Sequence, residues 1–298
     1  MVKYVMNESK MWFQYHTYLL IISLLGTSSA YKPVLIVHGI LSGNETMLKF
    51  AEIIKQHHPG TRVYICSRFN KWNSLEPMAH QVSVIGADLL QISALHPEGF
   101  HLIGYSQGGL LSRAVLEFFP MHLVRNFISL SSPQAGQYGT NMLHIFFPNL
   151  AKEEAYKVFY SKYGQYLSVA NYWNDPHHQD LFYKICKFLP SINNEIPLPN
   201  NTSQFFKRGI TKLKKMILIG GPDDGTIEPW QSSHFSYYNE NETVIPYKER
   251  RIYQEDLFGL RTLDERGALH VFTANGVKHH FWYRNTTVIK KYILPWLN

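Results

Sequence analysis

Cysteine is scarce in this sequence: Cys66 and Cys186 are the only two among 298 residues, which excludes a disulfide framework and a zinc site built on thiolates. Cys66 closes the apolar run Val63-Tyr64-Ile65, where a buried free thiol is expected. Charge is scarce too, at 17% of residues against 45% hydrophobic, a balance that buries a large core and excludes intrinsic disorder. The net charge of +7 is not gathered into a basic run with interleaved aromatics. Nucleic acid is therefore not an expected partner, and Lys212, Lys214 and Lys215 read as a solvated approach to a strand. The surplus suits an anionic substrate or transient contact with a membrane surface. There is no internal repeat or low-complexity tract, and no apolar run reaches the length of a transmembrane helix, so no stable membrane span is expected.

What is present begins with a leader. Residues 1–30 have the layout of a signal peptide: Lys3 and Lys10, an apolar stretch from Tyr18 to Leu25, then Ser28-Ser29-Ala30 ahead of a cut before Tyr31. The competing reading, an uncleaved anchor, needs a longer apolar stretch. Sequons of the form N-x-[ST] stand at Asn44, Asn200, Asn201, Asn241 and Asn285. Together with a leader they point to a glycosylated luminal protein, although Asn200 and Asn201 overlap and are not both expected to carry glycan.

Over residues 31–298 short apolar runs alternate with helical-period segments, which predicts βαβ units and a mostly parallel sheet in one domain. The runs are Val34–Val37, Val63–Ile65, His101–Gly104, Phe127–Leu130, Met216–Ile219 and Leu269–Phe272. Between the first two, residues 45–57 place Met47, Phe50, Ala51, Ile53 and Ile54 at helical spacing. From about 134 to 206 the rhythm breaks into aromatics, Asn, His and Pro, which predicts an insertion covering one end of the sheet.

The chemistry starts at Gly104-Tyr105-Ser106-Gln107-Gly108-Gly109. G-x-S-x-G is weak alone, but here it follows a strand-like run and precedes the helical Leu110–Phe119, the setting of the nucleophile elbow of the α/β-hydrolase fold. Gly104 and Gly108 lack the Cβ that would keep strand and helix apart. The backbone N–H of Gln107 then faces the carbonyl that Ser106 attacks, and the loop after Val34–Val37 supplies a second oxyanion donor, the Ile40 N–H. His38 is expected to shape that loop and not to act as base.

The acid and base follow the serine in this fold. After Met216–Ile219 the turn Gly220-Gly221-Pro222-Asp223-Asp224-Gly225 presents two carboxylates at the C-terminal edge of the sheet, and Glu228 is a third within reach. Asn275-Gly276-Val277-Lys278-His279-His280 offers two histidines. Spacing does not choose among these. His279-His280 makes a poor metal pair because sequential side chains diverge, and His177 and His178 with Asp175 and Asp180 suit a hydrogen-bonded turn; no metal and no cofactor are expected. Ser131 and Ser132 stand near the elbow without a base of their own.

At these motifs the chain resembles the palmitoyl-protein thioesterases, and within them the lysosomal type 2 branch. The resemblance rests on Val37-His38-Gly39, on residues 104–110, on Ser129-Leu130-Ser131-Ser132-Pro133-Gln134, on Asn171-Tyr172-Trp173-Asn174-Asp175-Pro176-His177-His178, and on residues 218–225 with Pro229-Trp230-Gln231. It implies a Ser-His-Asp thioesterase of the lysosome acting on fatty-acyl thioesters, and it selects Asp224 and His279. The palmitoyl branch is similar near Ile227-Glu228-Pro229 but places its acid at Glu228, which stays an alternative. A lipase or carboxylesterase would use the same residues on oxyesters, and a non-catalytic luminal binding protein would use none. The type 2 resemblance also implies acyl-CoA-like substrates over palmitoylated proteins. Phe146, Phe147, Phe159, Tyr160, Tyr166 and Trp173 in the insertion are read either as the lining of an acyl channel or as lid core.

Overall fold

The computed structural model describes residues 31–141, 143 and 149–298; the leader expected at 1–30 lies outside them, as do Phe146 and Phe147. Strands β1 (Val34–Val37), β2 (Val63–Ile65), β3 (Phe100–Tyr105), β4 (Val124–Leu130) and β5 (Lys215–Gly220) precede a short antiparallel pair, β6 (Tyr237–Tyr238) and β7 (Val244–Ile245), and then β8 (Leu269–Thr273). The main sheet has the order β2-β1-β3-β4-β5-β8, with every neighbour parallel. The predicted runs coincide with β1 and β2 and lie inside the other four. The β6–β7 pair was not anticipated.

Alternation along the strands sends side chains to two cores. Val34 and Ile36 of β1 join Ile103, Ile128 and Ile217 on one face, over α1 (Leu48–His57) and the C-terminal Ile289 and Ile293. Leu35 and Val37 join Leu102, Phe127 and Leu218 on the other. That second face is covered by α2 (Met78–Leu95), α3 (Gln107–Phe118) and α4 (Thr202–Thr211). Helix α2 buries Met78, Val82, Ile85, Leu89 and Ile92, a stripe of three- and four-residue steps. Its pattern was available in the sequence and passed unread.

The chain runs from β1 out to the edge at β2, then returns to β3 on the other side of β1. The order therefore reverses between β1 and β3, and the crevice beyond their carboxyl ends is where open parallel sheets place ligands. Between β4 and α4 the chain forms short helices at Ala155–Phe159, Gln179–Ile185 and Phe188–Ile192 joined by turns. Their aromatic residues Phe159, Trp173 and Phe182 are fully or almost fully buried in the second core.

Candidate active site

Ser106 sits between β3 and α3 with φ 55° and ψ −130°, a region that costs a non-glycine residue free energy of about 1–3 kcal/mol and persists only where the surroundings enforce it. They do so by close approach. A Cβ on Gly104 would stand 2.5 Å from the Gly108 carbonyl oxygen, and one on Gly108 would stand 2.2 Å from that of His38. The Ser106 N–H donates to the Leu130 carbonyl at 3.0 Å, fixing the turn to β4. The helix predicted from Leu110 begins at Gln107, so its N-terminal dipole starts at the elbow.

His279 approaches from the loop after β8. Its Nε2 lies 2.9 Å from Ser106 Oγ and its Nδ1 lies 2.9 Å from Asp224 Oδ2. The acceptor-only carboxylate fixes the tautomer: Nδ1–H donates to Asp224 and Nε2 accepts from the serine hydroxyl. The three side chains are almost completely buried, with 3% exposure at Ser106, 6% at His279 and 2% at Asp224. The His279 N–H also donates to the Asp224 carbonyl at 2.9 Å, and the Tyr105 hydroxyl donates to the His279 carbonyl at 3.0 Å.

Asp224 receives further donors. Oδ1 accepts from the Thr226 and Ile227 N–H groups at 3.0 and 2.8 Å, and Oδ2 from Ser131 Oγ at 2.5 Å and Trp282 Nε1 at 2.6 Å. Burial by itself would raise this carboxyl. The His279 hydrogen bond and charge, with the Ile227 and Ser131 donors, outweigh burial and hold it below the usual aspartate range. Ser131, itself at φ 44°, and Trp282 are residues the sequence reading missed as supports. For Ser131 the hint was its place at the end of the strand beside the elbow. Trp282, three residues after His279, carried no separate signal.

The alternatives lie outside this chain of hydrogen bonds. Asp223 is half-buried and turned to the Gly276 N–H, from which it accepts at 2.7 Å. Glu228 is half-buried, with a carboxyl raised by desolvation, and lies against Gly139. His280 is exposed beside His279. His38 bridges two carbonyls, with Nδ1 2.9 Å from Gly39 and Nε2 3.0 Å from Arg68, and so holds the loop that follows β1. A Cβ on Gly39 would come within 2.9 Å of Ser106 Cβ, which shows how closely this loop lies against the serine. The N–H groups of Ile40 and Gln107 have no acceptor among the described residues.

A cavity of 450 Å³ opens above Ser106 and His279. It is lined by Ile40, Leu41, Ser42 and Thr46 from the loop after β1, by Tyr105, Asn141 and Thr226, and by His280, Tyr283 and Arg284. The described insertion aromatics do not line it. Phe159 and Trp173 are at 0% exposure in the core, Tyr160 at 8%, and Tyr166 projects into solvent at 62%. The channel reading of these four residues is corrected accordingly: a side chain already packed against Tyr138 or its neighbours, as Trp173 is, has no face left for a ligand. Cys66 and Cys186 are free, buried thiols. His177 and His178 bond separately to Glu242 and Asp175, and no cluster suited to a metal occurs among the described residues. No described helix is long and apolar enough to cross a membrane. The five sequon asparagines are exposed or half-buried.

A parallel sheet with a strained serine at its switch point, joined through histidine to a buried aspartate, defines the class of α/β-hydrolases. The mature lipase BlEst2 of Bacillus licheniformis shares this fold, at a TM-score of 0.50 and 16% identity over 90% of this chain and 93% of the lipase. Within the class, the model of the palmitoyl protein thioesterase family matches residues 33–280, and the chain belongs to that family. It is 51% identical over 280 residues to the lysosomal thioesterase PPT2 homolog of Drosophila melanogaster, covering 94% of this chain and 96% of the relative. It is 43% identical to the lysosomal thioesterase PPT2 of Homo sapiens, covering 91% and 89%.

Proposed function

We propose that this protein is a lysosomal serine thioesterase that hydrolyses fatty-acyl thioesters through an acyl-enzyme on Ser106. The observation that carries the reading is the unbroken hydrogen-bonded chain Ser106–His279–Asp224 beside the Ile40 and Gln107 amides. His279 Nε2 takes the Ser106 hydroxyl proton as Oγ attacks the acyl carbon. The carbonyl π pair moves to oxygen, which the Ile40 and Gln107 N–H groups stabilise. Re-forming the carbonyl breaks the C–S bond, and the thiolate leaves with the proton from His279. Water then attacks the acyl-serine, giving its proton to His279. The carboxylic acid departs and the Ser106 hydroxyl is restored.

A thiol of pKa about 8.5 is a good leaving group and needs little proton assistance. Asp224 holds the imidazole in the Nδ1–H tautomer and stabilises the imidazolium that forms at each attack. Residues 1–30 serve as the leader, 31–298 act as one domain with an insertion over about 134–206, and the names of the relatives favour the lysosome. The substrate class is acyl-CoA-like or S-acylated. The deciding experiment has two arms: fluorophosphonate labelling of Ser106 on one portion of the protein, and kcat/KM on a thioester and an oxyester of equal acyl length on unlabelled protein. Labelling with a thioester preference is expected. Labelling with an oxyester preference makes the protein a lipase or carboxylesterase, and absence of labelling makes it a binding protein.

A further inference from the structure

Two of the five sequons stand on opposite banks of the catalytic cavity. Thr46, which completes the Asn44 sequon, lines the cavity together with Ser42 on the loop after β1. Asn285 follows directly on Arg284, which lines it from the loop after β8. In the sheet β1 and β8 lie on opposite sides of β3, the strand that leads into Ser106. The remaining sequons are elsewhere: Asn241 lies in the β6–β7 turn, and Asn200 and Asn201 border a separate groove with Phe118 and Phe205.

The local geometry leaves both bank asparagines able to carry a glycan in the folded state. Asn285 caps the following helical turn through Oδ1, which accepts from the Thr287 and Val288 N–H groups at 3.0 and 3.3 Å. Asn44 accepts through Oδ1 from Asn70 Nδ2 at 3.3 Å. Neither side chain's Nδ2, the atom that forms the glycosidic bond, donates to an acceptor among the described residues. A sugar on Nδ2 therefore keeps the cap and the Asn44–Asn70 bond.

We propose that N-linked glycans on Asn44 and Asn285 flank the mouth of the active site and set substrate choice by size, admitting a thioester on a thin flexible arm and excluding one on the surface of a folded protein. The proposal rests on the thioesterase reading above. A glycan is bulky and hydrated. Two of them facing across one cleft oppose the flat approach that a protein surface needs, while a slender thiol carrier passes between them. The excluded class is thus S-acylated folded protein, and the admitted class is acyl-CoA or a short S-acylated peptide.

The test uses the secreted glycoprotein and the double variant Asn44→Asp with Thr287→Val. The first change keeps the Oδ1 acceptor, and the second deletes the Asn285 sequon without touching its cap. Asn241→Gln is the control. Intact mass before and after glycosidase reports occupancy, and kcat/KM is measured on palmitoyl-CoA and on a folded S-palmitoylated protein. Trimming native enzyme to single sugars with an endoglycosidase repeats the test without mutation. The expected result is occupancy at both sites and a gain on the order of tenfold on the protein substrate, with palmitoyl-CoA turnover and the control unchanged. Bare Asn44 and Asn285, or occupied sites whose removal leaves the protein substrate no better, overturns the proposal. Absence of palmitoyl-CoA turnover in the native enzyme overturns the thioesterase reading instead.

Discussion

The insertion between β4 and α4 and the loops at the carboxyl ends of β1, β3, β5 and β8 are both crowded with aromatic and polar side chains, but they use them in opposite ways. In the insertion Phe159, Trp173 and Phe182 are packed on all sides, so their contribution is transfer free energy and dispersion. In the loops, Ser106, His279 and Asp224 are equally buried yet held by directional hydrogen bonds around an open cavity. Tyr105 belongs to both worlds: its ring packs in the first core while its hydroxyl holds the His279 carbonyl. Burial alone therefore does not separate scaffold from site. Strained backbone, converging donors and an adjoining cavity do.

The widest split between the regions is expected in turnover. Ser106→Ala should abolish hydrolysis while leaving the thermal transition in place, because only Oγ is lost. Asp224→Asn and His279→Gln should each lower kcat on the order of 10⁴-fold by disrupting the tautomer or removing the base. Asp223→Asn and His280→Gln should cost far less; steady-state kinetics on one acyl-CoA ranks all five variants. A larger loss at Asp223, or at Glu228→Gln, would move the acid away from Asp224.

The insertion should answer in stability. Trp173→Ala or Phe159→Ala removes a fully buried ring, at a cost of about 3–5 kcal/mol, visible in Tm or a denaturation midpoint. The ratio of activities on long and short acyl-CoA should stay unchanged, because neither ring lines the cavity. A changed chain-length profile with intact Tm would reverse the assignment of these two residues.

A smaller effect should come from the supports of Asp224. Ser131→Ala and Trp282→Phe each remove one donor to the ionised carboxylate, a contribution of about 1.5–3 kcal/mol. Part of this should appear as a fall in kcat. The Asp224 carboxyl is depressed in the fold, so its stabilisation is present above the unfolded aspartate value and is lost as pH falls through the folded one. Losing a donor raises the folded value, so acid inactivation should begin at higher pH in both variants. A pH–rate profile superimposable on the native one would reduce Ser131 and Trp282 to packing.

Most of the sheet was legible because apolar runs between turn residues have few other uses. The elbow was legible because the glycines around Ser106 answer a steric demand that Gly108 and the His38 carbonyl make plain. Asp223 and Asp224 were not separable from spacing: adjacent side chains point apart, and which one turns inward depends on the Ile227 and Thr226 amides and on Trp282, contacts absent from any local pattern. The resemblance chose Asp224, and the geometry gives that residue the His279 bond. Whether the insertion aromatics line an acyl channel or form lid core was open for a related reason. A Trp at helical or turn spacing looks the same whether it meets Tyr138 or a ligand, and only the tertiary packing tells them apart.

The central claim is that Ser106 carries the acyl group between thioester and water. It is tested most directly by rapid acid quench of the enzyme with palmitoyl-CoA, followed by mass spectrometry of the intact chain and its peptides. The account predicts one acyl mass on the peptide containing Ser106, formed before steady state and absent from Ser106→Ala. An acyl mass on Cys66 or Cys186, or turnover that persists in Ser106→Ala, would contradict it.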